Sequence, residues 1–168
     1  MRDRSDARAL VTARPKQLAG GVEDPGASLL RLLLVRRLIE EGFNQGRLEV
    51  CDEVTAPDLA EHQDFGPNHA AGADGVKAVV TSLRRAYPDF RLDIQHLAVD
   101  GDLVWLHLRG SGTNDGPFMG NAPTGRRMEI DVFDLIRVAD GRMVEHWGVP
   151  DRLGALLQLG LAQPPEPR

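Results

Sequence analysis

Met128-Glu129-Ile130-Asp131-Val132-Phe133-Asp134-Leu135-Ile136-Arg137-Val138, then Ala139-Asp140-Gly141, then Arg142-Met143-Val144-Glu145-His146-Trp147-Gly148-Val149, is the stretch on which the fold turns. Met128, Ile130, Val132, Ile136 and Val138 recur at every second position, the period of a strand whose side chains alternate between two faces. Asp140-Gly141 suits the left-handed backbone of a two-residue hairpin, so residues 142–149 should return antiparallel to 128–138. One position breaks the apolar row: Asp134 shares its parity.

Upstream, the same period runs through Phe90, Leu92, Ile94, His96 and Ala98, and Asp100-Gly101 turns it into residues 103–113. Residues 117–127 then form a loop. Before residue 88 the period is helical. Ser28 can cap a helix to about residue 45 that buries Leu32, Val35, Ile39 and Phe43, and Gly46 stops it. A second helix covers roughly residues 47–54. A third opens at Asp74, buries Val76, Val79, Val80, Leu83 and Tyr87, and ends before Pro88. A short last helix follows Pro150-Asp151 and carries Leu153, Leu156, Leu157 and Leu159. Helices first and a meander afterwards is an α+β pattern. Residues 1–26 read as a mobile extension, 27–160 as one domain and 161–168 as a Pro-rich tail.

The chain has 168 residues, enough for one core, and 42% hydrophobic with 27% charged residues is an ordinary globular balance. A net charge of -5 and the absence of a basic stripe argue against nucleic acid. The longest apolar stretch, near residues 29–35, is too short to span a bilayer, and residues 1–16 lack the apolar run of a signal peptide. Cys51 is the single cysteine, so no disulfide or cysteine-based zinc site can form within the chain. These features fit a cytoplasmic protein. Lysine occurs only at Lys16 and Lys77 against many arginines, a composition suggesting a bacterial source.

Burying a carboxylate without compensation is costly, so Asp134 should have a partner, hold a proton or border a cavity. An inverted register or a bulge would instead turn it to solvent. His146 shares parity with Val144 and Gly148, and the hairpin can set it across from Asp134 or diagonal to it. A carboxylate beside an imidazole forms a proton-transfer pair near neutral pH. His62, close to Phe65, could reach a pocket mouth; His69 reads as a solvated loop residue. His96 and His107 lie on strands, and His107 shares a face with Trp105. No His-Glu-x-x-His pattern exists, so a metal is not expected. The glycines at 110, 112 and 116 lack the lysine and following helix of a phosphate loop. No serine or cysteine nucleophile sits in a recognisable elbow.

Asn114-Asp115-Gly116-Pro117-Phe118-Met119-Gly120-Asn121-Ala122-Pro123-Thr124-Gly125-Arg126-Arg127, with Asp134, Asp140-Gly141-Arg142 and Glu145-His146-Trp147, resembles the SnoaL-like polyketide cyclase or ester cyclase family. The likeness spans about residues 30–160 and includes Phe43-Asn44-Gln45-Gly46 and Ala56-Pro57-Asp58. It implies the cone-shaped nuclear-transport-factor-2-like fold, a curved antiparallel sheet wrapped around a pocket that N-terminal helices close. It also implies a homodimer or higher homo-oligomer. The activity implied is intramolecular aldol ring closure of an apolar polyketide without metal or organic cofactor. In cyclising members the principal acid lies two residues after the histidine matching His146, which here is Gly148, while the family's inward histidine one strand earlier corresponds to Asp134.

The residues expected to act are therefore Asp134 and His146, with His62, Phe65, Trp105, Phe118 and Met119 as substrate contacts. Trp147 has the opposite parity and could pack on a helix or an interface. Gly148 motivates the alternative of a non-catalytic binding or dimerisation module. Epoxide hydrolysis would need Asp131, Asp134 and Arg109 together, against the opposite parity of the two acids.

Overall fold

A computed structural model describes residues 24–65 and 70–163. The chain opens with α1 (Pro25–Arg37) and continues directly into a π-helical segment, Leu38–Phe43. Asp24, not Ser28, is the N-cap: its carboxylate accepts from the Gly26 N–H at 3.1 Å, and Pro25 supplies a first-turn residue with no N–H to satisfy. The first helix thus opens at Pro25, with its cap at Asp24. Residues 1–23, His69 and the last five residues lie outside the described part. After α2 (Glu49–Val54) comes β1 (Thr55–Glu61), then α3 (Gly72–Ala86), and after the sheet a last helix, α4 (Arg152–Leu159).

The other strands are β2 (Arg91–Asp100), β3 (Leu103–Thr113), β4 (Arg127–Ala139) and β5 (Arg142–Pro150), and the sheet order is β1-β5-β4-β3-β2. The four-strand meander is the one the alternating period predicts. Asp140 and Gly141 both have positive φ, 51° and 70°, as a type I′ hairpin requires. β1 is the element that the sequence pattern hides. It pairs parallel to β5 at the sheet edge, with an irregular register between Thr55 and Ala60. Pro57 falls in that interval; its missing N–H confines it to such an edge or irregularity.

One face of the sheet carries the core. Val104, Leu106 and Leu108 of β3 are 0–3% exposed and share a cluster with Val35 and Leu38, Val50 and Val54, and Val76 and Val80. Each such burial stabilises by about 1.5–3 kcal/mol. On β2 the register shifts between Ile94 and His96. The bulge exchanges the faces: Leu97 and Val99 continue the inner row behind Leu92 and Ile94, and His96 and Ala98 move outside. Trp105 pairs with Ala98 and Leu135 on the outer face, which corrects its expected place as a pocket contact. Leu161, just after the last helix, packs on the core.

Candidate active site

Asp134 stands on the inner face of β4, between Leu106 of β3 and Gly148 of β5. His146 pairs with Ile136 and so lies diagonal to Asp134 on the same face. Its Nε2 is 3.6 Å from Asp134 Oδ1, and each of the two side chains is only 14% exposed. That distance is an ion-pair contact and too long for a hydrogen bond, which leaves the carboxylate oxygens able to meet another partner.

A third group comes from β1. Glu61 is in direct parallel register with His146, and both its carboxylate oxygens lie 2.9 Å from His146 Nδ1. The Gln63 N–H donates to Glu61 Oε1 at 2.7 Å, and the His62 N–H donates to the His146 carbonyl at 2.9 Å. These bonds fix β1 against β5 at this level. Burial alone would disfavour charge on His146, but the Asp134 and Glu61 carboxylates outweigh it and push its pKa up to about 9. At neutral pH the ring is an imidazolium between two carboxylate side chains.

Gly148 leaves the room that the Gln63 amide occupies. A β-carbon there would stand 3.0 Å from Asp134 Oδ1 and 2.9 Å from His146 Cε1, and would overlap Gln63 Oε1. A carboxylate, an imidazole and an amide therefore converge on the space that the missing side chain leaves. Gly148 also lines a cavity of about 240 Å³ with His62, Gln63, Asp64, Val149, Pro150 and Arg152. The cavity lies at the C-terminal ends of β1 and β5, at the rim of the sheet. Asp134 holds its acid in the volume a residue-148 side chain would enter, on the neighbouring strand.

The remaining expected contacts scatter. His62 reaches the cavity mouth, but its ring stacks on Trp147 at 4.6 Å and its Nε2 meets Glu145 at 3.0 Å. Phe65 is half-buried and does not line the cavity. Phe118 packs edge-on against the buried Tyr87 at 5.2 Å and anchors its loop, and Met119 is 59% exposed; neither lines the cavity. Asp131 is on the outer face, bound to His107 at 2.8 Å and Arg109 at 3.2 Å, so it cannot act with Asp134 on one epoxide. Among the described residues no cluster of three or more His, Cys, Asp or Glu could hold a metal ion.

Glu61 and Gln63 were missed by reasoning from sequence, and the signal for them was the neighbouring His62. Read as the end of a strand, the segment puts residues 61 and 63 on one face and His62 on the other. Pro57 made that reading hard to reach.

An α+β domain with helices packed on one face of a curved five-stranded sheet defines the nuclear-transport-factor-2-like class. Residues 33–159 match the SnoaL-like polyketide cyclase family, and the chain belongs to that family. It is similar to aklanonic acid methyl ester cyclase DauD of Streptomyces sp. (strain C5), 28% identical over 134 residues that cover 76% of this chain and 80% of that protein. Nogalonic acid methyl ester cyclase of Streptomyces nogalater is 29% identical over 119 residues, covering 70% and 89%. Among solved structures, IdmH from Streptomyces antibioticus is 34% identical with a TM-score of 0.67, covering 77% of this chain and 98% of that one. TsrD from Streptomyces laurentii is 26% identical with a TM-score of 0.73, covering 83% and 100%.

Proposed function

We propose that this chain closes a ring in an enolisable, polyketide-like substrate by intramolecular aldol addition, with its own side chains as acid and base. The supporting observation is the convergence of Asp134, His146 and the Gln63 amide over Gly148, with Gly148 and Gln63 also bordering the cavity at the sheet rim. Asp134 takes the proton from carbon beside a carbonyl. The resulting enolate carbon bonds to a second carbonyl carbon of the same molecule, and His146 Nε2–H gives its proton to the oxygen that becomes the alcohol. Asp134 then returns its proton to His146, and the site is restored with no net loss or gain. Each positioned acid or base contributes roughly 10²–10⁴-fold in rate.

Incubation with aklanonic acid methyl ester or nogalonic acid methyl ester tests this reading, because these two names describe what the relatives cyclise. The expected result is an isomer of unchanged mass at a new chromatographic retention. A ligand that binds and is recovered unchanged, with both esters, supports instead the non-catalytic binding module that Gly148 suggests.

The outer sheet face supports a second part of the reading, a homodimer. Trp105 (48% exposed), Phe133 (57%) and Val149 (69%) form with Ala98, Leu135 and Trp147 an apolar area across four strands. Ion pairs flank it: Arg109 with Glu129 and Asp131, and Arg137 with Asp102 and Glu145. An apolar centre with a charged rim of both signs is the usual anatomy of a self-complementary interface. With Cys51 buried and alone, the cytoplasm is the proposed compartment.

A further inference from the structure

We propose that Glu61 is a positioning residue that assigns the roles at this site: it holds the Nδ1 proton of His146, so that Nε2 faces Asp134 as the proton donor and Asp134 is left as the base. This deepens the cyclase reading and rests on it for its catalytic consequence. The geometry has three parts. Both Glu61 oxygens are 2.9 Å from Nδ1, and an ionised carboxylate only accepts, so Nδ1 must carry a hydrogen. Glu61 is itself held, by the Gln63 N–H at 2.7 Å and by its direct register with His146, and its side chain is 17% exposed. Asp134 faces the other ring nitrogen from the opposite neighbouring strand, at 3.6 Å.

Without Glu61 the ring is free to place its proton on either nitrogen, and among the described residues the Asp134 carboxylate 3.6 Å away is the acid left to favour the cation. Among the described residues, Asp134 and Glu61 are the two charged groups that face His146, from β4 and β1 respectively. Two carboxylates around one imidazole would otherwise be redundant. The long contact to Asp134 and the short, doubled contact to Glu61 divide the work: one acid orients the ring and the other meets the substrate.

The test is an NMR titration of the His146 ring in the wild-type chain, in Glu61→Gln and in Glu145→Gln, which alters an outer-face carboxylate on the same strand. Glu61→Gln should lower the His146 titration by about one to three pH units, as loss of an opposite charge at this distance does, and Glu145→Gln should leave it in place. An unchanged titration in Glu61→Gln overturns the proposal. If that variant fails to fold, the wild-type ring decides: above its titration, nitrogen shifts should show hydrogen on Nδ1, and hydrogen on Nε2 overturns the proposal. Where turnover is measurable, the Glu61→Gln pH–rate profile should move its alkaline limb down by the same interval, with kcat falling more than KM rises. None of the NMR outcomes depends on turnover, so a chain that fails to cyclise while His146 still answers to Glu61 refutes the enzymatic reading alone.

Discussion

At Gly148 a hydrogen stands where a side chain would collide with three functional groups. Gly148→Ala should therefore push Gln63, His146 and Asp134 apart. Overpacking of this kind costs typically about 1–3 kcal/mol, so a lowered melting temperature together with lost turnover is expected; a variant as stable and as active as wild type would show that nothing converges there. Asp134's face was legible because a strand's period assigns faces, but His146's was not: the Asp140-Gly141 turn alone would pair it with Leu135, and a register shift between Arg137 and Val138 brings it onto the face of Asp134. Trp105 was misplaced for a related reason. Its row belongs to the outer face, and only the strand pairing, Trp105 with Leu135 and Leu106 with Asp134, shows that the two residues alternate. Phe118 and Met119 lie in a loop, where no period exists to aim a side chain.

Among the elements, β1 is the one that completes the site and the one the pattern did not disclose. Its pairing with β5 is parallel, irregular and interrupted by Pro57, so it shows neither alternation nor a turn signal. The β2 bulge is a similar case: an extra residue near Gln95 reverses the parity of His96 and Ala98, and the sequence carries no mark of it. The helices were easier, since apolar spacing is redundant over several turns, although Asp24 rather than Ser28 caps the first. The last helix bears directly on the cavity. Asp151 caps it by accepting from the Gly154 N–H at 2.8 Å, and the next residue, Arg152, lines the wall and donates to the Asp64 carbonyl at 2.7 Å. Asp151→Ala should cost about 0.5–2 kcal/mol in urea unfolding, the usual value of such a cap, and a loss below that range would mean the helix start is held by packing alone.

For the whole molecule, His146 links the site to stability. Its folded pKa of about 9 lies above the ordinary 6.5. The stabilisation is therefore complete below about pH 6.5 and is lost as pH rises through about 9, a difference on the order of 3 kcal/mol. Thermal unfolding should show stability declining between neutral pH and about pH 9.5, with a shallower decline in Glu61→Gln; a wild-type profile flat across that interval would contradict the buried cation. The outer face makes its own prediction. Light scattering should give twice the 18.4 kDa chain mass for wild type and a monomer for Phe133→Glu, while a monomeric wild type would leave that face without the proposed role.

The proposed chemistry rests on proton removal from carbon by Asp134. Its most direct measurement is the rate at which the hydrogen beside the carbonyl of aklanonic or nogalonic acid methyl ester exchanges into heavy water, followed by NMR with wild type and with Asp134→Asn. Enzyme-dependent exchange or consumption should fall by about 10²–10⁴-fold in the variant. An Asp134→Asn protein that matches the wild-type rate would contradict it.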